Sequence, residues 1–86
     1  MRRGRLELSD AFSLVLQRHR EAKKLSRTAL SQRAGLHQTY IGLVERGLRN
    51  PSLDALDAMA EALGVRASTL VSEAEAMRAK TGARRD

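Results

Sequence analysis

Short runs of apolar residues at helical spacing, closed by glycines at 35, 47 and 64, constrain this chain more than any other feature. Apolar side chains recurring three and four positions apart mark one face of a helix. A glycine just past such a run supplies the left-handed residue that commonly ends it. On this basis the first helix is expected to open at Ser9 or Asp10, either a good N-cap, and to run to about Lys23 with Phe12, Val15, Leu16 and His19 inward. Ser26 precedes a short second helix over Arg27 to Arg33, with Gly35 after it. A third is predicted from His37 to about Arg46, with Ile41 and Val44 inward and Gly47 as its stop. Asn50-Pro51-Ser52 reads as a turn and N-cap for a fourth helix to Leu63, carrying Leu53, Leu56, Met59, Ala60 and Leu63 on its inner face and ending at Gly64. Ser68 to roughly Lys80 makes a fifth, whose inner face starts with Leu70 and Val71 and weakens into Ala74 and Met77. The expected architecture is all-α, a compact five-helix bundle over residues 9–80, with a basic arm at 1–8 and a frayed tail at 81–86.

Composition agrees. With one Phe, one Tyr and no Trp among 42% hydrophobic residues, the core must be built from Leu, Val, Ile, Ala and Met. Strand-forming residues never cluster. Eighty-six residues hold one domain with a small core. Cysteine is absent, which removes a disulfide framework, a thiolate metal site and a cysteine nucleophile. No apolar run approaches the roughly 18 residues that span a bilayer. Glu7 and Asp10 interrupt any signal-type stretch after the basic start, so no membrane association and a cytoplasmic location are expected.

Charge is unevenly divided. Residues 1–50 hold eleven Lys or Arg against four acids, a balance of +7, whereas residues 51–86 hold five against six, a balance of −1. Such asymmetry is expected where one surface faces a polyanion. A basic surface that serves only solubility would look the same in these sums.

The stretch from Ser26 to Arg46 is the most specific. Two short helices joined by a tight turn containing Gly35 form a helix-turn-helix layout. Ala29 and Ala34 permit close approach near the turn, and Leu30, Leu36, Ile41 and Val44 supply a shared apolar wedge. With those inward, the third helix presents His37, Gln38, Thr39 and Tyr40, and one turn later Gly42 and Leu43. A helix with such a front fits the major groove of DNA, its N-terminal end toward base edges.

Leu25-Ser26, Leu30-Ser31-Gln32-Arg33-Ala34-Gly35-Leu36, Thr39-Tyr40-Ile41, Val44-Glu45-Arg46-Gly47, Asn50-Pro51-Ser52-Leu53 and Leu63-Gly64-Val65 together resemble the Cro/C1-type (XRE-like) helix-turn-helix family over roughly residues 10–72. Thr39-Tyr40-Ile41 followed by Glu45-Arg46-Gly47 is similar, within that family, to controller proteins of restriction–modification systems. The resemblance implies a fold of the phage-repressor DNA-binding type and double-stranded DNA as partner. It implies base reading by His37, Gln38, Thr39, Tyr40 and Leu43, and phosphate contacts from Arg27, Arg46, Arg49 and Asn50. It makes Arg20 and Glu45 an internal ion pair between the first and third helices. Ser31 stands where the family usually has Ala and His19 where it usually has an aliphatic residue, both pointing to a looser or wetter core patch.

A homodimer on a pseudo-palindromic operator is expected, because one short recognition helix buries too little to single out a site in a genome. An antitoxin covering a toxin partner, and a protein-interaction module on the same fold, remain open alternatives. No enzyme, cofactor or metal is expected. His19 and His37 lie on different helices without a second ligand pair, and Asp54, Asp57 and Glu61 read as the solvated face of the fourth helix.

Overall fold

The computed structural model describes residues 7–83. The arginine-bearing arm up to Leu6 and the tail residues 84–86 lie outside the described residues. Five helices follow one another in the order α1 (Leu8–Ala22), α2 (Arg27–Ala34), α3 (Gln38–Glu45), α4 (Leu53–Leu63) and α5 (Ala67–Ala83), with no strand among the described residues.

The short helices begin and end on the expected residues. Ser26 and Ser52 cap α2 and α4, each hydroxyl accepting from the amide three residues on, at 2.9 and 3.0 Å. Gly35 closes α2 at φ 72° and Gly64 closes α4 at φ 74°. After α3 the turn falls at Gly47, φ 73°, where the Leu48 amide donates back to the Leu43 carbonyl at 2.9 Å. Space is also tight at Gly47, since a Cβ there would stand 3.2 Å from an Asp10 carboxylate oxygen on α1. A side chain at this position would require the Asp10 carboxylate to give by a few tenths of an ångström, besides holding a left-handed φ.

Four expectations change. First, α1 opens at Leu8 with Glu7 as its N-cap, not at Ser9 or Asp10. Glu7 makes no side-chain capping bond, while Leu8 packs against the core, so apolar burial fixes this end. Asp10 then lies in the first turn, where a negative charge suits the helix dipole. Second, His19 is not part of the apolar face. It sits half-buried at the edge of α1 with its Nε2 2.8 Å from a carboxylate oxygen of Glu73 on α5. Third, Leu53 is 82% exposed instead of facing inward, and Ala55 takes its place in the core. Leu53 shares its helix face with buried Ala60, seven residues on, but lies two turns nearer the start of α4. Fourth, α5 runs on to Ala83 instead of ending near Lys80.

The core gathers Phe12, Val15 and Leu16 of α1, Leu30 of α2, Ile41 and Val44 of α3, Met59 and Leu63 of α4, and Leu70 and Ala74 of α5. It is aliphatic apart from Phe12. Ser31 is buried yet satisfied, its hydroxyl donating to the Thr28 carbonyl at 2.7 Å. The patch flagged by its polarity is therefore closed by the helix's own backbone.

Candidate nucleic-acid interface

Residue 36 to residue 41 shows how the fold builds this surface. Gly35 reverses the chain, half-buried Leu36 anchors it, and buried Ile41 and Val44 turn one side of α3 into the core. The opposite side must then face solvent, and His37, Gln38 and Thr39 are exposed there. His37 makes no side-chain capping bond, unlike Ser26 and Ser52, and leaves the positive end of the α3 dipole uncovered by a side chain. Gln38 is tied back to α2, its side-chain carbonyl accepting from the Thr28 hydroxyl. That bond orients the amide and links the first turns of the two helices.

Tyr40 is half-buried, and its hydroxyl accepts from the Ser52 amide at 3.2 Å. The Arg49 guanidinium lies over its ring, 5.3 Å from the centroid. The residue expected to read bases thus also joins α3 to the start of α4. Gly42, expected to be presented outward, is buried, and the Arg46 guanidinium lies over it within 4 Å of where a Cβ would stand. A Cβ there would meet it in ordinary van der Waals contact. Leu43, half-buried, stands at the end of the exposed front.

The ion pair between α1 and α3 is present and larger than expected. Glu45, whose side chain is fully buried, accepts from Arg20 Nε at 2.6 Å, from a second Arg20 nitrogen at 3.0 Å and from Arg27 Nε at 2.9 Å. Arg20 also donates to the Leu25 carbonyl at 2.7 Å, fixing the loop before α2. The Glu45 hydrogen bond holds Arg20 above the ordinary guanidinium range, with burial pulling the other way. Two guanidinium groups share the buried carboxylate, and the exposed Glu21 carboxylate stands 3.9 Å from Arg20. Arg27, with 43% of its side chain exposed, extends this cluster to the surface.

Arg27 and Arg46 line an open cleft of about 640 Å³ with Gln38, Thr39 and Gly42, running between α1, α2 and α3. Arg49 and Asn50 lie on the other flank, in a second hollow with Leu36, Tyr40 and Ser52. His37 and Leu43 line neither. The cleft also takes in Gln17 and Thr28, which the sequence reading passed over. Thr28 carried a weak signal, as a polar residue in the first turn of a short helix next to the turn. Gln17 carried none beyond its outward register. Among the described residues no three His, Cys, Asp or Glu side chains are grouped to hold a metal ion. No described helix is long and apolar enough to cross a membrane.

An α2-turn-α3 unit set on a small helical core, with the outer side of its second helix open, defines a helix-turn-helix regulator fold. The chain belongs to that family: the model HTH_3, "Helix-turn-helix", matches residues 16–70. Among its relatives are transcriptional regulators of the repressor and controller kinds. Control protein C.SmaI of Serratia marcescens is 33% identical over 67 residues, 78% of this chain and 80% of that protein. The crystal structure of the restriction-modification controller protein C.AhdI from Aeromonas hydrophila superposes with a TM-score of 0.71 at 39% identity, covering 72% of this chain and 94% of that one. The immunity repressor protein of Bacillus phage phi105 is 41% identical over 54 residues, 63% of this chain but 38% of the repressor. The chain spans about two fifths of the length of the first curated relatives it matches.

Proposed function

We propose that this chain is a sequence-specific DNA-binding regulator of the cytoplasm, acting by binding and not by catalysis, and that two copies bind a pseudo-palindromic operator. One observation carries the reading. The exposed polar start of α3 projects between arginines on both sides, Arg27 and Arg46 in the cleft and Arg49 beyond Tyr40. Base edges are read by hydrogen bonds and methyl contacts, whereas phosphates are held by guanidinium groups regardless of sequence. Both kinds of group lie side by side here. Gln38 is the adenine reader, its amide oriented by Thr28, and the Thr39 methyl meets a thymine methyl. His37 and Leu43 flank them, and Tyr40 contributes mainly by holding Arg49 and the loop. Arg27, Arg46, Arg49 and Asn50 supply the phosphate contacts. Two-fold pairing sets two such helices about 34 Å apart, one turn of DNA.

Selection of bound sites from random DNA tests this directly and is expected to return two inverted half-sites. On the selected site, Gln38→Ala should cost about 1–3 kcal/mol and relax preference at one base position per half-site. Arg46→Ala should weaken binding to all sequences alike and reduce the salt slope by about one phosphate contact. If neither change alters binding to any DNA, the assignment of this surface fails.

A further inference from the structure

Two leucines at the end of α3 do not serve the core. Leu43 is half-buried but belongs to neither the core nor the half-buried residues packed against it. Leu48, in the loop after α3, is 68% exposed. Their backbones are clamped together, the Leu48 amide donating to the Leu43 carbonyl at 2.9 Å and the Gly47 amide to the Val44 carbonyl at 3.0 Å. We propose that Leu43 and Leu48 form a reader of the pyrimidine C5-methyl group, so that the regulator accepts 5-methylcytosine in place of thymine at one position of each half-site and responds to cytosine methylation. The proposal rests on the regulator reading and names a chemical signal for the same surface.

The charged neighbours decide what such a pair meets. Leu48 lies between Arg46 and Arg49 in the chain, and these guanidinium groups occupy the two flanks of α3. A second copy, itself at a net charge of +6, is repelled from such a place, whereas a polyanion is drawn to it. The major groove of DNA offers one apolar group, the C5-methyl of thymine. Leu43 lies one turn behind Thr39 on the same face of α3, so the pair continues the front that meets base edges. Leu43 and Leu48 also hold the two positions whose apolar contact commonly accompanies this kind of helix ending. Such a contact serves by burial, however, and Leu48 remains largely in water.

The methylation response follows from what leucine lacks. Thymine and cytosine differ at C4, which bears an acceptor oxygen in one and a donor amine in the other. A leucine side chain has no hydrogen-bonding group with which to tell them apart. It gains only by covering a methyl group, and 5-methylcytosine carries that group at the same place.

The test uses the full chain and the site selected from random DNA. Each thymine is replaced in turn by deoxyuridine, which removes the methyl group and nothing else. At one thymine per half-site the replacement should weaken wild-type binding about fourfold, the contribution of one buried methyl group, with the salt slope unchanged. With a C·G pair at that position, methylating the cytosine at C5 should strengthen binding by about the same factor. Leu43→Ala and Leu48→Ala should each erase most of both differences. The circular dichroism of Leu48→Ala should match the wild type, because its side chain is largely exposed. A methyl group met by Thr39 answers instead to Thr39→Ser. Wild-type binding indifferent to both DNA changes, or methyl effects that survive both leucine substitutions, overturns the proposal. A thymine effect without a 5-methylcytosine effect refutes the methylation response. A selection that returns no preferred sequence sinks the regulator reading and this proposal with it, whereas a preferred site blind to methyl groups sinks this proposal alone.

Discussion

Glu45 accepts from two arginines brought together from α1 and α2, and its side chain has no access to water. Glu45→Gln keeps the volume but strands the buried Arg20 charge opposite an amide, and is expected to cost about 3–5 kcal/mol. In a small domain whose whole stability is on the order of 5–15 kcal/mol, such a loss should be plain as a lowered urea midpoint at constant slope. Arg27→Ala should cost about 1 kcal/mol or less by the same measurement, because water screens its exposed side chain. From the arginine side the pair is insensitive to neutral pH. A raised Arg20 pKa adds stability that is complete below the free guanidinium value and lost only as pH climbs through the raised one. The Arg20–Glu45 partnership was visible only through family resemblance. The share taken by Arg27 was not visible at all, because it depends on how the start of α2 meets the end of α3, eighteen residues on, and no local spacing encodes that.

Helix ends were the best-marked features in the sequence where a local chemical group decides them. Serines at 26 and 52 and glycines at 35, 47 and 64 do what their types suggest. The start of α1 was misplaced because tertiary burial of Leu8 outweighs the capping preference of Ser9 and Asp10. The end of α1 is unmarked for a related reason. Its left-handed residue is Lys24, φ 58°, which no composition rule would select. At α2, eight residues long, the cap carries much of the helix. Ser26→Ala removes the bond to the Ala29 amide and is expected to cost about 1 kcal/mol in chemical denaturation. It should also loosen the end that bears Arg27 and Thr28.

Across the whole molecule α5 is the element that the sequence undersold. Its pattern fades after Val71, yet Leu70 and Ala74 are both fully buried, and α5 packs along α1 and against α4. Small residues at such a contact let helices approach closely and leave little trace in a hydropathy pattern. Leu70→Ala opens a cavity at the junction of these elements, with an expected loss of about 2–5 kcal/mol. The melting temperature should fall by on the order of 10 °C or more in a scan, as one transition.

The bond from the Ser52 amide to the Tyr40 hydroxyl has a geometric consequence beyond its own strength. Ser52 also caps α4, so this link ties the front of α3 to the first turn of the fourth helix. Any shift of α4 is thereby coupled, through one phenol, to the exposed polar front of α3.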